Sequence, residues 1–398
     1  MPSDVWALGG PGKFVRAIIE DLTEGRSISI ILPSEGVPRG LRSAIRDGLP
    51  KLPVNFLDVP SLAPTTRPIV ESLSAVLGLD RSSRGRMQVD DFCAHSQLGR
   101  RLIWVDCREA TVAEAKVWGT FLRHYGAAVS AIPVHTRTVF STVCTGAQAG
   151  LMPDADRLSS KRWWWGILGP LDTELFVFDQ IDGDARLPGF LESVTEVAGF
   201  DLDVAAMLVD LWDGDADQLR SLLTAYRREV ISSGGIPVGI VSPAERPSPE
   251  LIPAWSAGLI NAWGDSNSHL HPCQVCIDSI AGLRHLVWRG QVRSLMPRIE
   301  IARQGIATWV LDRRDRLPPD WAGEDIMALE VGGLSTLMNA APDLVRRDRI
   351  VADRAHWLRR ARNKIAHLEI LDRVELERAD QIFGEGAGAR VEARAANG

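Results

Sequence analysis

The sequence predicts a chain of two parts, an N-terminal α/β domain with a parallel sheet and an all-α C-terminal bundle. Short apolar runs alternate with amphipathic segments over roughly the first 170 residues, as in sheets whose parallel strands are connected by helices. From residue 272 onward the apolar residues instead recur at three- and four-residue intervals, which is the periodicity of helices. A chain of 398 residues has room for two or three domains.

Composition and charge are those of an ordinary globular protein. Hydrophobic residues make up 45% of the chain, charged residues 24%, and the formal net charge is −6, so the whole chain is not a general polyanion binder. No apolar run reaches the roughly 18–20 residues needed to span a bilayer, and no charged and apolar leader opens the chain. Five cysteines without a signal peptide indicate a reducing compartment. We therefore expect a cytoplasmic protein without membrane contact.

A glycine-rich stretch, Gly9-Gly10-Pro11-Gly12-Lys13, opens an amphipathic helix that leads to an apolar strand at 27–32. The backbone amides of such a loop can bind phosphate. A Walker A motif, however, needs a strand before the loop and a Ser or Thr after the Lys, and here Phe14 stands at that position. The strand–loop–helix unit at 27–49 has the right order but lacks both motif residues, and Glu35 in its loop would repel a phosphate. A plain turn is the alternative for either loop.

The alternation continues along the N-terminal part. Strands are predicted at 54–59, 101–106 and near 138–143, and helices at 67–78 and 111–125. The strand at 101–106 ends in Asp106, and Glu109 follows three residues later. At the end of such a strand an Asp can hold magnesium and a nearby Glu can activate water. The alternative is an aspartate that caps the next turn.

In the order and spacing of these elements, residues 1–170 resemble the AAA+/STAND class of P-loop NTPases. The resemblance implies a nucleotide site formed by Gly10, Gly12, Lys13, Asp106 and Glu109. Because the Walker Lys and Ser/Thr are missing, we expect a degenerate domain without ATPase activity, and nucleotide with magnesium stays as the alternative. Helical stripes across 171–235 resemble the helical lid of that class. The proline-rich segment 236–271 is predicted to be a linker.

The segment after this linker contains residue types that can bind zinc. His269, His271, Cys273 and Cys276 could supply four ligands, but structural zinc sites usually take their second pair from a distant knuckle. A proline that starts a helix, with the two cysteines inside its first turns, is a sufficient structural reason for the pattern. We therefore predict no metal site and no bound cofactor.

The residues at 272–383 predict a helical bundle. One very long helix is expected at 275–311, where Pro297 should kink or split it, and the polar residues of 288–293 indicate a face that meets a partner. A helix at 321–338 with a Gly-Gly interruption, a helix at 351–372 and a closing helix at 374–383 follow. The tail from 384 is predicted to be disordered.

The helix at 351–372 carries the residues that indicate a function. They are Arg359, Arg360, Arg362, Asn363, Lys364 and His367. Arg359, Asn363 and His367 lie one turn apart on a shared face, whereas Arg362 lies about 140° round an ideal helix from His367. Between residues 346 and 364, seven Arg and one Lys against two Asp give a local charge of +6. A basic surface of this kind suits RNA, and a solvated helix is the alternative.

The Arg-x4-His spacing, with Asn directly after the Arg, resembles the motif of HEPN domains, all-helical bundles found in many prokaryotic defence proteins and ribonucleases. The resemblance implies a homodimer in which the Arg and His of two protomers meet at a groove and cut RNA without a metal. His exchanges protons near neutral pH, and the planar guanidinium of Arg binds a phosphate whose charge grows during the reaction.

The resemblance assigns a role to each residue of the motif. His367 is the general acid or base, Arg362 holds the scissile phosphate, and Asn363 orients one of them. The RNA backbone is expected to contact Arg359, Arg360 and Lys364. Two functions stay open: a defence ribonuclease controlled by an NTPase-like sensor domain, or a catalytically silent subunit of a phage-defence complex that uses both domains to contact other defence proteins.

Overall fold

The chain folds into two compact units, which we call the α/β unit and the helical unit. The computed structural model describes residues 4–49, 68–79, 87–99, 101–181, 187–226, 236, 240–264, 266–346 and 348–395. The α/β unit comprises Met1–Asp172, Phe200–Leu202 and Ile231–His271, and the helical unit comprises Thr173–Gly199, Asp203–Val230 and Pro272–Gly398. An α/β part with a parallel sheet and a helical part are therefore both confirmed.

The α/β unit is built on a four-stranded parallel sheet with the order β2-β3-β1-β4. The strands are β1 (Ser27–Leu32), β2 (Leu102–Asp106), β3 (Val139–Thr145) and β4 (Ser159–Trp163). Ile28 of β1 is paired with Ser141 of β3 on one side and with Ser160 of β4 on the other. Both β1 and β3 are buried over nearly their whole length, as expected for parallel strands covered on two faces.

Five helices accompany the sheet. They are α1 (Gly9–Thr23), α2 (Leu41–Asp47), α3 (Ile69–Val76), α4 (Val89–Cys93) and α5 (Val112–Val129). A capping box starts α5, because Thr111 accepts the amide of Glu114 and the Glu114 carboxylate accepts the amide of Thr111. These strands and helices confirm the predicted alternation, and the strand expected at 54–59 lies outside the described residues.

The described part of 236–271 belongs to the α/β unit and is not the linker that the prolines predicted. It forms α10 (Ile252–Ser256) and a hairpin of β5 (Ile260–Trp263) and β6 (Ser266–Leu270); the helices numbered α6 to α9 precede it. Trp255 of α10 is fully buried, and its indole N–H donates to the carbonyl oxygen of Trp164 at 3.3 Å. Pro253 stands at the start of α10, where the missing amide hydrogen leaves no helix bond unmade.

The remaining helices supply the helical unit. They are α6 (Pro170–Gln180), α7 (Phe190–Ala198), α8 (Leu202–Leu211), α9 (Ala216–Tyr226), α11 (Pro272–Asp278), α12 (Ile280–Leu311), α13 (Val331–Ala340), α14 (Pro342–Val345), α15 (Arg349–Ala366) and α16 (Arg373–Ala395). Helix α12 has 32 residues, and α7, α13 and α15 all contact it. One core cluster joins α12, α13 and α15 through buried residues that include Ile299, Leu334 and Leu358.

Several predicted boundaries in the helical unit need correction. Within 171–235, where helical stripes were predicted, helices are found at 190–198, 202–211 and 216–226, and nearly all of their residues belong to the helical unit. The long helix is interrupted at Ser279, whose side chain caps α12, and it continues through Pro297 without a break. Helix α16 extends to Ala395 where the sequence predicted a disordered tail, since Ala, Glu and Arg favour helix.

Gly290 permits the close approach of α7 and α12. A Cβ atom at this position would lie 2.4 Å from both the amide nitrogen and the Cα of Ser193, which are backbone atoms and cannot rotate away. We expect Gly290→Ala to push the helices apart and to lower the free energy of unfolding by about 1–3 kcal/mol. Urea denaturation followed by circular dichroism measures the change.

Gly305 is the matched control on the same helix. A Cβ atom there meets nothing within 4 Å, so Gly305→Ala should stabilise the protein by about 0.5–1 kcal/mol through helix propensity alone. Equal effects of the two substitutions, in sign and size, contradict the close-approach explanation.

Candidate functional site at the end of helix α15

The end of helix α15 is formed by a turn in which Leu368 adopts an unusual backbone conformation. The amide of Leu368 donates to the carbonyl oxygen of Ile365 at 3.2 Å, and the amide of Glu369 donates to that of Lys364 at 2.9 Å. This pair of bonds is a Schellman motif in which His367 is the C-cap and Leu368 occupies the left-handed position that glycine usually takes. Leu368, with φ of 62°, is the only non-glycine residue with positive φ in the described part of the chain.

Side chains of α12 hold this turn in place. The buried Gln291 uses both ends of its amide: Nε2 donates to the carbonyl oxygen of Leu371 at 2.9 Å, and Oε1 accepts the Leu371 amide at 2.8 Å. The indole N–H of Trp288 donates to the carbonyl oxygen of Ile365 at 2.7 Å. Backbone strain persists where the surroundings impose it, and it is concentrated at functional sites. The turn that carries His367 is therefore fixed from outside α15.

The structure brings several of the predicted RNA-contacting residues together on an exposed strip. Arg359, Asn363 and His367 are all exposed and follow each other at four-residue steps, so they lie along one side of α15 and its cap. Arg360 is also exposed, at the edge of this strip. Two cations, an amide and an imidazole thus face solvent together, which is a suitable surface for a phosphate backbone.

Arg362 points to a different place from this strip. Its guanidinium forms an ion pair with Glu330 at 3.2 Å, with the two side chains 41% and 76% exposed. Both residues line a concavity of about 320 Å³ together with Ile299 and Arg303 of α12, and His367 is not part of its lining. Within one protomer, the described geometry does not join Arg362 and His367 in one cleft.

Lys364 lies on a third side of α15. Its ammonium group pairs with Glu375 of α16 at 2.6 Å. With Arg284 of α12 and the turn residue Leu368, it lines a second concavity of about 460 Å³. Lys364 is therefore partly neutralised, and it borders the same turn that presents His367.

The predicted nucleotide site at the glycine-rich stretch is occupied by a side chain of the protein. Gly10 and Gly12 lie in the first turn of α1, and the amide of Gly10 donates to Oδ1 of Asp172 at 3.0 Å. Asp172 is buried, and a Cβ atom on Gly10 would lie 1.8 Å from the carbonyl oxygen of Ile167. A carboxylate is the group that a helix N-terminus favours, so the charge of Asp172 takes the place of a phosphate. Lys13 next to them is exposed.

The predicted magnesium ligand Asp106 is also engaged. The guanidinium of Arg108 donates to both oxygens of its carboxylate, from Nε at 3.0 and 3.2 Å and from Nη2 at 2.6 Å, while Glu109 is exposed. Burial, with the neighbouring Asp106 carboxylate adding to it, raises the pKa of the Cys107 thiol to about 12. Cys107, next to Asp106, is thus fully buried, and the charge of Asp106 is balanced by Arg108.

Helix α10 covers the edge of the sheet where ligands of open α/β folds bind, beyond the carboxyl ends of the strands. The amide of Ser34, just after β1, donates to the carbonyl oxygen of Ser256 at 2.8 Å. A Cβ atom on Gly146, just after β3, would lie 2.3 Å from Oγ of Ser256. The prolines predicted a linker here and not this covering helix, although the apolar residues around Trp255 were a sign that the segment is buried.

The residues considered for zinc have other partners. Nε2 of His271 lies 2.9 Å from Oδ2 of Asp201, the thiol of Cys273 donates to the carbonyl oxygen of Leu223, and that of Cys276 to the carbonyl oxygen of Arg220. Over the described ranges, no three His, Cys, Asp or Glu side chains are grouped so that they could hold a metal ion. Nor does any helix in those ranges have the length and apolar character of a membrane span.

We compared the chain with protein-family models and with curated proteins. No protein-family model matches the chain. A search of the curated proteins finds no match either.

The left-handed conformation of Leu368 predicts an unusual stabilising substitution. Leu368→Gly should raise the free energy of unfolding by about 0.5–1 kcal/mol, because the Cβ penalty of about 1–2 kcal/mol exceeds the entropy that glycine adds to the unfolded chain. Little packing is lost, since Leu368 is 62% exposed. The urea midpoint and slope give the change.

Ala366→Gly, two residues earlier, should have the opposite effect on the free energy of unfolding. Ala366 ends the helix with right-handed geometry, so glycine there should cost about 0.5–1 kcal/mol. If both glycine substitutions destabilise the protein equally, the turn is not strained.

Proposed function

We propose that the helical unit binds RNA along α15 and cleaves it without a metal, as a homodimer. The observation that carries the proposal is the exposed strip of Arg359, Asn363 and His367, which ends in a strained turn held by α12. The resemblance of the Arg-x4-His pattern to HEPN domains supports the same reaction. The protein would then be a cytoplasmic ribonuclease of the prokaryotic defence type.

The chemistry requires two proton transfers. The ribose 2′-oxygen attacks phosphorus as the bond to the 5′-oxygen breaks, which leaves a 2′,3′-cyclic phosphate and a 5′-hydroxyl. A base accepts the proton of the 2′-hydroxyl, and an acid gives a proton to the leaving 5′-oxygen. His367 performs one transfer, and the same residue of a second protomer performs the other. Asn363, one turn before His367, orients the imidazole or the phosphate.

Arg362 has the role of binding the scissile phosphate, and its ion pair is no obstacle. A solvent-exposed pair such as Arg362–Glu330 contributes about 0–1 kcal/mol, so a phosphate can displace the carboxylate. Arg362 and His367 face different sides of one α15, so the proposal needs a dimer in which both residues border the interface and Arg362 of one protomer reaches His367 of the other. The dimer thereby supplies the pairing that a single protomer lacks.

A catalytically silent scaffold is the second candidate, and the α/β unit favours it for its own part. Asp172 caps the glycine-rich turn and α10 fills the ligand-binding edge, so this unit acts through contacts with other proteins and not through a nucleotide. Calorimetry should detect no micromolar binding of ATP with magnesium to the purified protein. Magnesium-dependent binding in that range would restore the P-loop NTPase assignment.

The ribonuclease proposal predicts cleavage of RNA in the presence of EDTA. His367→Ala should reduce the rate by about 10²–10⁴-fold, because it removes a group that transfers a proton in the transition state. Arg362→Ala should weaken both binding and turnover. The assay follows the formation of a 2′,3′-cyclic phosphate end, which only attack by the 2′-oxygen produces.

Three further variants sharpen this assay. His135→Ala removes an exposed histidine of the α/β unit and should leave the rate unchanged. Glu330→Gln frees Arg362 from its carboxylate and should raise RNA affinity by up to about fivefold, the value of an exposed ion pair. Asp343→Asn, which breaks the exposed Arg346–Asp343 pair, controls for the lost negative charge. Equal rates for wild type, His367→Ala and Arg362→Ala rule out the ribonuclease.

A further inference from the structure

An aromatic stack lies beside the turn that presents His367. The rings of His285 and Trp288, on the first turns of α12, are stacked with centroids 5.0 Å apart and planes inclined by 22°. His285 is exposed, and Trp288 is half-buried and bonded to the carbonyl oxygen of Ile365, two residues before His367. One face of the His285 ring is covered by the indole, so the other is the face available to a ligand.

A cation without a neutralising partner stands next to this stack. Arg284 precedes His285 on α12, is exposed, and forms no hydrogen bond or ion pair within the described part of the chain. It lines the concavity of about 460 Å³ that Lys364 and Leu368 also border.

Four carboxylates line the same concavity, those of Asp217 and Glu369 and those of Asp215 and Asp372, of which the last two accept backbone amides. Asp215 accepts the amides of Asp217 and Gln218 at the start of α9, and Asp372 accepts that of Glu375 at the start of α16. Their negative charge is thus directed at helix N-termini. Of the two cations in this lining, Lys364 pairs with Glu375, so Arg284 is the one that can bind an incoming anion.

We propose that Arg284, His285 and Trp288 form a subsite for an unpaired nucleotide of single-stranded RNA next to His367. The base continues the Trp288–His285 stack, and Arg284 binds the adjoining phosphate. Stacking on an aromatic ring needs a base whose face is free, which a base inside a duplex does not offer. The subsite rests on the proposed function and specifies its substrate: a loop or single strand, not a continuous duplex.

Binding measured by fluorescence anisotropy tests the subsite. The full chain carries His367→Ala so that bound RNA stays intact, and the probes are a short labelled single-stranded RNA and a duplex of the same sequence. His285→Ala should weaken single-strand binding about tenfold, the usual effect of losing one base-stacking ring. His285→Tyr keeps an aromatic face and should retain the affinity. Arg284→Ala should weaken single-strand binding as well.

Arg298→Ala and His135→Ala are the matched controls. Arg298 is an exposed arginine of the same helix, past Pro297, and His135 is an exposed histidine of the α/β unit. The proposal is overturned if His285→Ala and Arg284→Ala bind like these controls, or if the duplex loses affinity to the same extent as the single strand.

The two proposals fail separately. Cleavage that depends on His367, with single-strand affinity unchanged in His285→Ala, removes the subsite and leaves the ribonuclease. Affinity that depends on His285 without cleavage in EDTA removes the ribonuclease and leaves an RNA-binding site. Absence of RNA binding by the wild-type chain overturns the subsite together with its basis.

Discussion

The helical unit depends on the pair of hydrogen bonds between the buried Gln291 amide and the backbone of Leu371. Hydrogen bonds shielded from water are strong, and leaving their partners unpaired costs the desolvation of each group. These bonds fix the chain that follows α15 to α12, and Gly290 beside Gln291 lets the same stretch of α12 pack directly on α7. The orientation of the turn at His367 is thus determined by its contacts with α12 and not by α15 itself.

In the α/β unit, the polar groups that were candidates for ligand binding are bonded to other groups of the same unit. A ligand site needs donors or acceptors that the protein leaves unsatisfied, and here the chain satisfies them itself. The amide of Gly10 has the carboxylate of Asp172, and Asp106 has the guanidinium of Arg108. At the ligand-binding edge of the sheet, Ser256 accepts the amide of Ser34. On α12 and α15, by contrast, Arg284, Arg359 and Arg360 are exposed to solvent.

The sequence was sufficient where local pattern decides the outcome. Alternating apolar runs predicted the strands of the sheet, and a three- and four-residue apolar period predicted α15. The end of α15 could not be predicted, because Leu368 takes a position that glycine normally marks, and the contacts that impose it come from Gln291, some eighty residues earlier. The polar stretch at 288–293 was predicted to meet a partner. It does so inside the chain, where Arg293 pairs with Glu196 of α7 and Gln291 with the turn after α15.

The position of Arg362 relative to His367 determines whether the two side chains of one protomer can reach the same phosphate. Arg362 lies five positions before His367, and on a regular helix that spacing turns the two side chains away from each other. The capping turn does not bring the two side chains together, because Arg362 extends towards Glu330 at the start of α13. In the proposed reaction, His367 of one protomer performs only one of the two proton transfers. In the dimer that we propose, a second protomer facing α15 contributes the second histidine, and Arg362 leaves Glu330 to bind the phosphate. Monomeric catalysis would require α15 to unwind around Arg362, against the core contacts of Leu358, Ala361 and Ile365.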